Sequence, residues 1–103
     1  MNKDNLETFV LNNRLLEVYG RFLTEQQLEI MTDYYENNLS LSEISELRKI
    51  SRTAVSDALK VSVAKLEGYE DKLGLLKAID TLKSDEKNKE TLEKLEEAIR
   101  NGI

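Results

Sequence analysis

Between residues 23 and 55 the chain spells out the start of a helix three times. Leu23-Thr24 is followed by Gln27 and Leu28, Leu39-Ser40 by Glu43 and Ile44, and Ile50-Ser51 by Val55. In each case the hydroxyl can accept a backbone N–H from the first turn of the helix it opens. Gln27 and Glu43 can return a bond to the cap, and the flanking apolar pair closes over the joint. The second and third starts lie so close that the helix opened at Ser40 has room only for about Leu41 to Arg48. A turn of about three residues through Lys49 and Ile50 then leads into the next helix. A chain with this grammar is committed to short, sharply joined helices.

The rest of the sequence agrees. Pro is absent and Gly occurs four times, so little opposes helix. Leu6, Phe9, Val10, Leu16 and Tyr19 place a first helix at about 3–22, with Gly20 as its stop. The second helix carries Leu28, Met31, Tyr34 and Tyr35 to about Asn37, where Asn37-Asn38 ends it by turn chemistry. Of the two tyrosines, one ring is expected in the core and the other half exposed. After Ser51 the apolar pattern runs through Val55, Leu59, Leu66, Leu73, Leu76 and Ile79, weakened at Gly68 and Gly74. One long helix or two joined near 68–74 both fit. A last helix after Ser84 shows Leu92, Leu95 and Ile99, with Asp85 and Glu86 favourable in its first turn. The expectation is an all-α fold in a single domain over 1–103. Its helix-turn-helix core spans about 24–66, preceded by an N-terminal helix and followed by a C-terminal helical tail at about 67–103.

The stretch from Ser40 to Leu66 meets the physical requirements of a helix-turn-helix. Ser45 is small where the second helix must cross, Ile50 can anchor the turn, and Val55, Ala58 and Leu59 can bury one face. Arg52, Thr53, Ser56, Asp57 and Lys60 lie on or near the other face. The chain is acidic overall, with net charge −5, yet residues 48–65 hold Arg48, Lys49, Arg52, Lys60 and Lys65 against Asp57 alone. That segment is therefore about +4 and the remainder about −9, a segregation that points to a positive face. The alternative from pattern alone is a plain helical bundle whose wet faces happen to carry bases.

Several short pieces carry a resemblance. They are YG-x-x-LT at 19–24, the Tyr34-Tyr35 pair, SL-x-EI at 40–44, ISR-x-AV at 50–55 and LE-x-YE-x-KL at 66–73. Over roughly residues 12–78 the chain resembles the YlxM-like family of small bacterial helix-turn-helix proteins, which are similar to region 4 of sigma factors. The resemblance implies a DNA-binding regulator tied to the signal recognition particle targeting pathway. It assigns DNA reading to Ser51, Arg52, Thr53, Ser56, Asp57 and Lys60, with Arg48 and Lys49 of the basic cluster beside them. Three positions depart from the usual pattern. Arg48 stands where an apolar residue is common, so Leu47 is expected to turn inward with the Arg48 stem along the core. Lys49 must take a left-handed turn position more often held by Gly or Asn. Val61 replaces a base, removing one phosphate contact.

Other function classes find little support. With no Cys and no His, disulfides, thiolate chemistry, Cys/His zinc sites and a Ser-His triad are excluded. The pairs Glu43/Glu46 and Glu93/Glu97 read as solvated helix faces, Ser51 as a cap rather than a nucleophile, and no cofactor is expected. No apolar run approaches the length of a membrane span, so a cytoplasmic protein without membrane insertion is expected. Two functions of different class remain: a DNA-binding regulator, and a protein-interaction adaptor of the targeting pathway with little DNA affinity. The C-terminal stripe can close a hairpin within one chain or join two chains as a homodimer.

Overall fold

The three helix starts at Thr24, Ser40 and Ser51 are made by the cap bonds expected of them. A computed structural model describes residues 6–84 and 89–102, with the side chains of 89–92 outside the description. Among the described residues the only regular structure is helix, without strands. Helix α1 (Leu6–Tyr19) runs into a 3₁₀ turn at Gly20–Phe22, then α2 (Glu25–Tyr35), α3 (Leu41–Arg48), α4 (Arg52–Leu73), α5 (Leu75–Lys83) and α6 (Lys89–Arg100). Thr24 and Gln27 form a reciprocal capping box on α2, and Ser40 and Glu43 form one on α3. The Ser51 hydroxyl accepts the Ala54 N–H at 3.0 Å and opens α4. Asn38, at φ 63°, reverses the chain between α2 and α3.

One core unites the elements. Tyr19, Ile30, Met31, Ile44, Val55, Leu59 and Leu66 are fully buried at its centre, and Leu76, Ile79 and Ile99 extend it under α5 and α6. Tyr35 is buried and Tyr34 half-buried, their rings 4.8 Å apart edge to face, with Phe9 against both. In α1 the buried set is Leu15, Leu16, Val18 and Tyr19 together with Asn12, whereas the expected Leu6 and Val10 point outward. Asn12 is accommodated because its amide donates to the Tyr35 hydroxyl at 3.1 Å. Period alone could not choose which of two apolar stripes on α1 faces inward.

The helix break falls at Gly74 and not at Gly68. Gly74 takes φ +63°, and its N–H closes on the Glu70 carbonyl, ending α4. Gly68 stays within the helix with open space around its missing Cβ. Gly68→Ala is therefore expected to raise stability by about 0.5–1 kcal/mol, read by urea denaturation.

A carboxylate then caps the next helix from outside. Glu70 accepts the Leu76 and Lys77 N–H groups at 3.0 and 3.1 Å, and the Tyr19 hydroxyl donates to it at 2.6 Å. The same hydroxyl accepts the Leu75 N–H at 3.0 Å. Burial, and then the bond to Glu70, push the Tyr19 pKa from 10.0 up to about 12. The folded state thus favours the neutral phenol. That contribution is fully present below pH 10 and disappears as pH climbs through about 12. Denaturation curves of the wild type should weaken across that window, while those of Tyr19→Phe should be flatter there. An identical alkaline loss in both would show that Tyr19 is not its source.

The C-terminal stripe is packed within the chain. Leu66, Leu76, Ile79 and Ile99 are buried against the chain's own core, and ion pairs Arg14–Asp80, Arg100–Glu17 and Lys83–Glu96 tie α1, α5 and α6 together at the surface. Leu73 stays outside, 55% exposed. The expected first-turn acids Asp85 and Glu86 and the side chain of Leu92 lie outside the described residues. No helix among the described residues is long and apolar enough to cross a membrane.

Candidate nucleic-acid interface

The turn between α3 and α4 is built by Ser45 and Lys49. The Lys49 and Ile50 N–H groups both return to the Ser45 carbonyl, and the Ser45 hydroxyl donates to the Ile50 carbonyl at 2.6 Å. Closing the helix this way requires a left-handed residue, and Lys49 supplies it at φ 59°, ψ 44°. A non-glycine residue pays about 1 kcal/mol for that conformation. In return the turn displays an exposed base. Ser51 then caps α4, whose buried face consists of Val55, Leu59, Ser62 and Leu66.

The opposite face is open. Ser51, Arg52, Thr53, Asp57 and Lys60 are exposed and Ser56 is half-buried. At 3.6 residues per turn, positions 52 to 60 of this set span roughly 140° of the helix surface. Arg52 occupies the first helical position with no acid in the first turn of α4. A cation there opposes the helix dipole, which costs about 0.3–1 kcal/mol at such sites. Its placement adds nothing to folding, while an N-terminal helix end and a guanidinium together suit an anion.

The basic cluster divides in a way its sequence conceals. Arg48 turns back to α2, where Nε and one terminal nitrogen reach the two oxygens of buried Asp33 at 2.8 and 3.0 Å, and Glu29 lies at 3.4 Å. The bond to Asp33 raises the Arg48 pKa further above its ordinary value. Arg48 would have to leave both acids to reach DNA. Leu47 does not turn inward as expected but stands 57% exposed, because the Arg48–Asp33 pair fills the inner side of the α3 terminus. Lys65 reaches across to Gln27 at 3.0 Å and ties α4 to the α2 cap. Lys49, Arg52 and Lys60 remain, with no ion pair to any described residue. The turn and the outer face of α4 thus hold three exposed bases against Asp57. Asp33 and Arg48 lie fifteen residues apart on different helices, so no local spacing announced the pair.

A family model described as "Putative helix-turn-helix protein, YlxM / p13 like" matches residues 6–101. The chain belongs to this family. Similar relatives include the UPF0122 protein FN1394 of Fusobacterium nucleatum subsp. nucleatum, 41% identical over 93% of this chain and 96% of the relative. The UPF0122 protein TTE1463 of Caldanaerobacter subterraneus subsp. tengcongensis is 46% identical over 84% of this chain and 74% of the relative. A UPF0122 protein of Clostridium kluyveri is 41% identical over 86% of this chain and 92% of the relative. No solved structure matches the chain. Membership in a helix-turn-helix family agrees with the α3–turn–α4 geometry and is not membership in an enzyme family.

Proposed function

We propose that this chain is a DNA-binding regulatory protein that reads duplex DNA through the outer face of α4. The observation that carries the reading is Arg52 and Lys60, exposed on that face, with Lys49 exposed in the turn before it, none of them in an ion pair with a described residue. Two of the three sit where they cost folding energy, Lys49 in a left-handed turn and Arg52 at a helix start. In this reading Arg52 contacts a base edge or clamps a phosphate, and Lys49 and Lys60 contact phosphates. Ser51, Thr53, Ser56 and Asp57 adjust the fit. The whole chain acts as one unit in the cytoplasm, and its service to the signal recognition particle pathway follows the family likeness.

A second reading has its own support. Two of the five bases at 48–65 are turned to Asp33, Glu29 and Gln27, and the chain is −5 overall. Both facts lower the expected DNA affinity and suit an adaptor that binds targeting components through the same fold. A binding isotherm on random duplex at low and physiological salt separates the two. The DNA reading expects dissociation constants no tighter than roughly micromolar at physiological salt, with steep weakening as salt rises. Pairing of two chains on two half-sites about one helical turn apart would tighten a specific site beyond that. No binding to duplex even at low salt would replace the DNA reading with the adaptor.

A further inference from the structure

Helix α1 carries two apolar faces, and only one is used by the fold. Leu15, Leu16, Val18 and Tyr19 fill the core, while Leu6, Val10 and Leu11 stand 77%, 47% and 44% exposed. Leu6 and Val10, four residues apart, lie one above the other, and Leu11 stands about 100° further around the helix, toward α4. Two hollows meet at Leu11 in a shallow groove. Leu6, Glu7, Val10, Leu11 and Arg14 line the one, on α1 alone, and Leu11, Leu15, Glu67, Glu70 and Asp71 line the other, between α1 and the C-terminal half of α4.

The charge around this groove has one sign. Arg14 is neutralised by Asp80, and Glu70 is occupied by Tyr19 and the start of α5. Glu7, Glu67 and Asp71 are exposed, and none has an ion pair with another described residue. An apolar floor with an acidic rim is complementary to a helix whose apolar stripe is flanked by Lys and Arg. A second copy of this chain would bring the same acids against themselves, which disfavours self-association there.

We propose that the α1–α4 groove docks a basic amphipathic helix of a partner protein. The site is separate from the outer face at the start of α4. From Arg52 to Asp71 the helix advances about 28 Å, so both surfaces can be occupied at once. The proposal does not depend on the DNA reading.

The test uses the full chain and a synthetic helical peptide of Leu and Lys with its leucines at i, i+3, i+4 and i+7, beside a scrambled peptide of the same composition. Titration calorimetry should show the patterned peptide binding at least about tenfold tighter than the scrambled one. Val10→Asp, and separately the pair Glu67→Lys and Asp71→Lys, should each weaken binding about tenfold or more. Glu93→Gln with Glu97→Gln, exposed acids on α6, should leave it unchanged. Circular dichroism shows whether each variant is folded, and Val10 is exposed enough that its substitution spares the core. Equal binding of the two peptides, or an unchanged Val10→Asp variant, would overturn the proposal. A concentration-dependent dimer in sedimentation that Val10→Asp abolishes would overturn it in favour of a second copy.

Discussion

Leu59→Ala is expected to remove about 2–5 kcal/mol of unfolding free energy, the range for emptying a buried leucine site. Leu59 is fully buried at the middle of the inner face of α4, within the cluster that joins α4 to α2 and α3. A chain of this size has only about 5–15 kcal/mol in total, so urea denaturation should show a large drop in midpoint. Val61, two residues on, is 52% exposed, and Val61→Ala should change stability by no more than about 0.5 kcal/mol. The pair tests the orientation of the helix. Comparable losses at both positions would mean that α4 does not present the face assigned to it.

Arg52→Ala should separate stability from binding. Arg52 is exposed at the first position of α4 and opposes the helix dipole, so its removal is expected to leave stability unchanged or slightly raised. Affinity for a cognate duplex should fall by about 1–3 kcal/mol, the cost of one specific contact. Measured beside a random duplex, a loss confined to the cognate site indicates base contact, and an equal loss on both indicates phosphate contact. Unchanged binding by a folded variant would remove the outer face of α4 from the account.

The parts of this fold written in local grammar were legible in the sequence. Thr24, Ser40 and Ser51 each cap the helix they were expected to cap, and Lys49 takes the left-handed turn its position demanded. These signals act over three to five residues, where backbone geometry leaves few alternatives. Contacts between helices were not legible, for the same reason. Nothing near Arg48 predicts Asp33, nothing near Lys65 predicts Gln27, and nothing near Glu70 predicts Tyr19. Those long-range pairs decide which bases of the 48–65 cluster remain outside and how the start of α5 is capped. Leu47 illustrates the consequence. Its inward turn was a sound expectation for a helix end carrying Arg48, until the Asp33 carboxylate drew the guanidinium inward instead.

The most direct test of the central claim compares Lys60 with Lys65. Both are bases on α4, but Lys60 is exposed on the outer face and Lys65 is bonded to Gln27. The measurement is the slope of log affinity for random duplex against log salt, for the wild type, Lys60→Ala and Lys65→Ala. The account predicts a negative slope in the wild type that Lys60→Ala reduces by about one and Lys65→Ala leaves unchanged. An affinity that ignores salt, or a Lys65→Ala effect as large as that of Lys60→Ala, would contradict it.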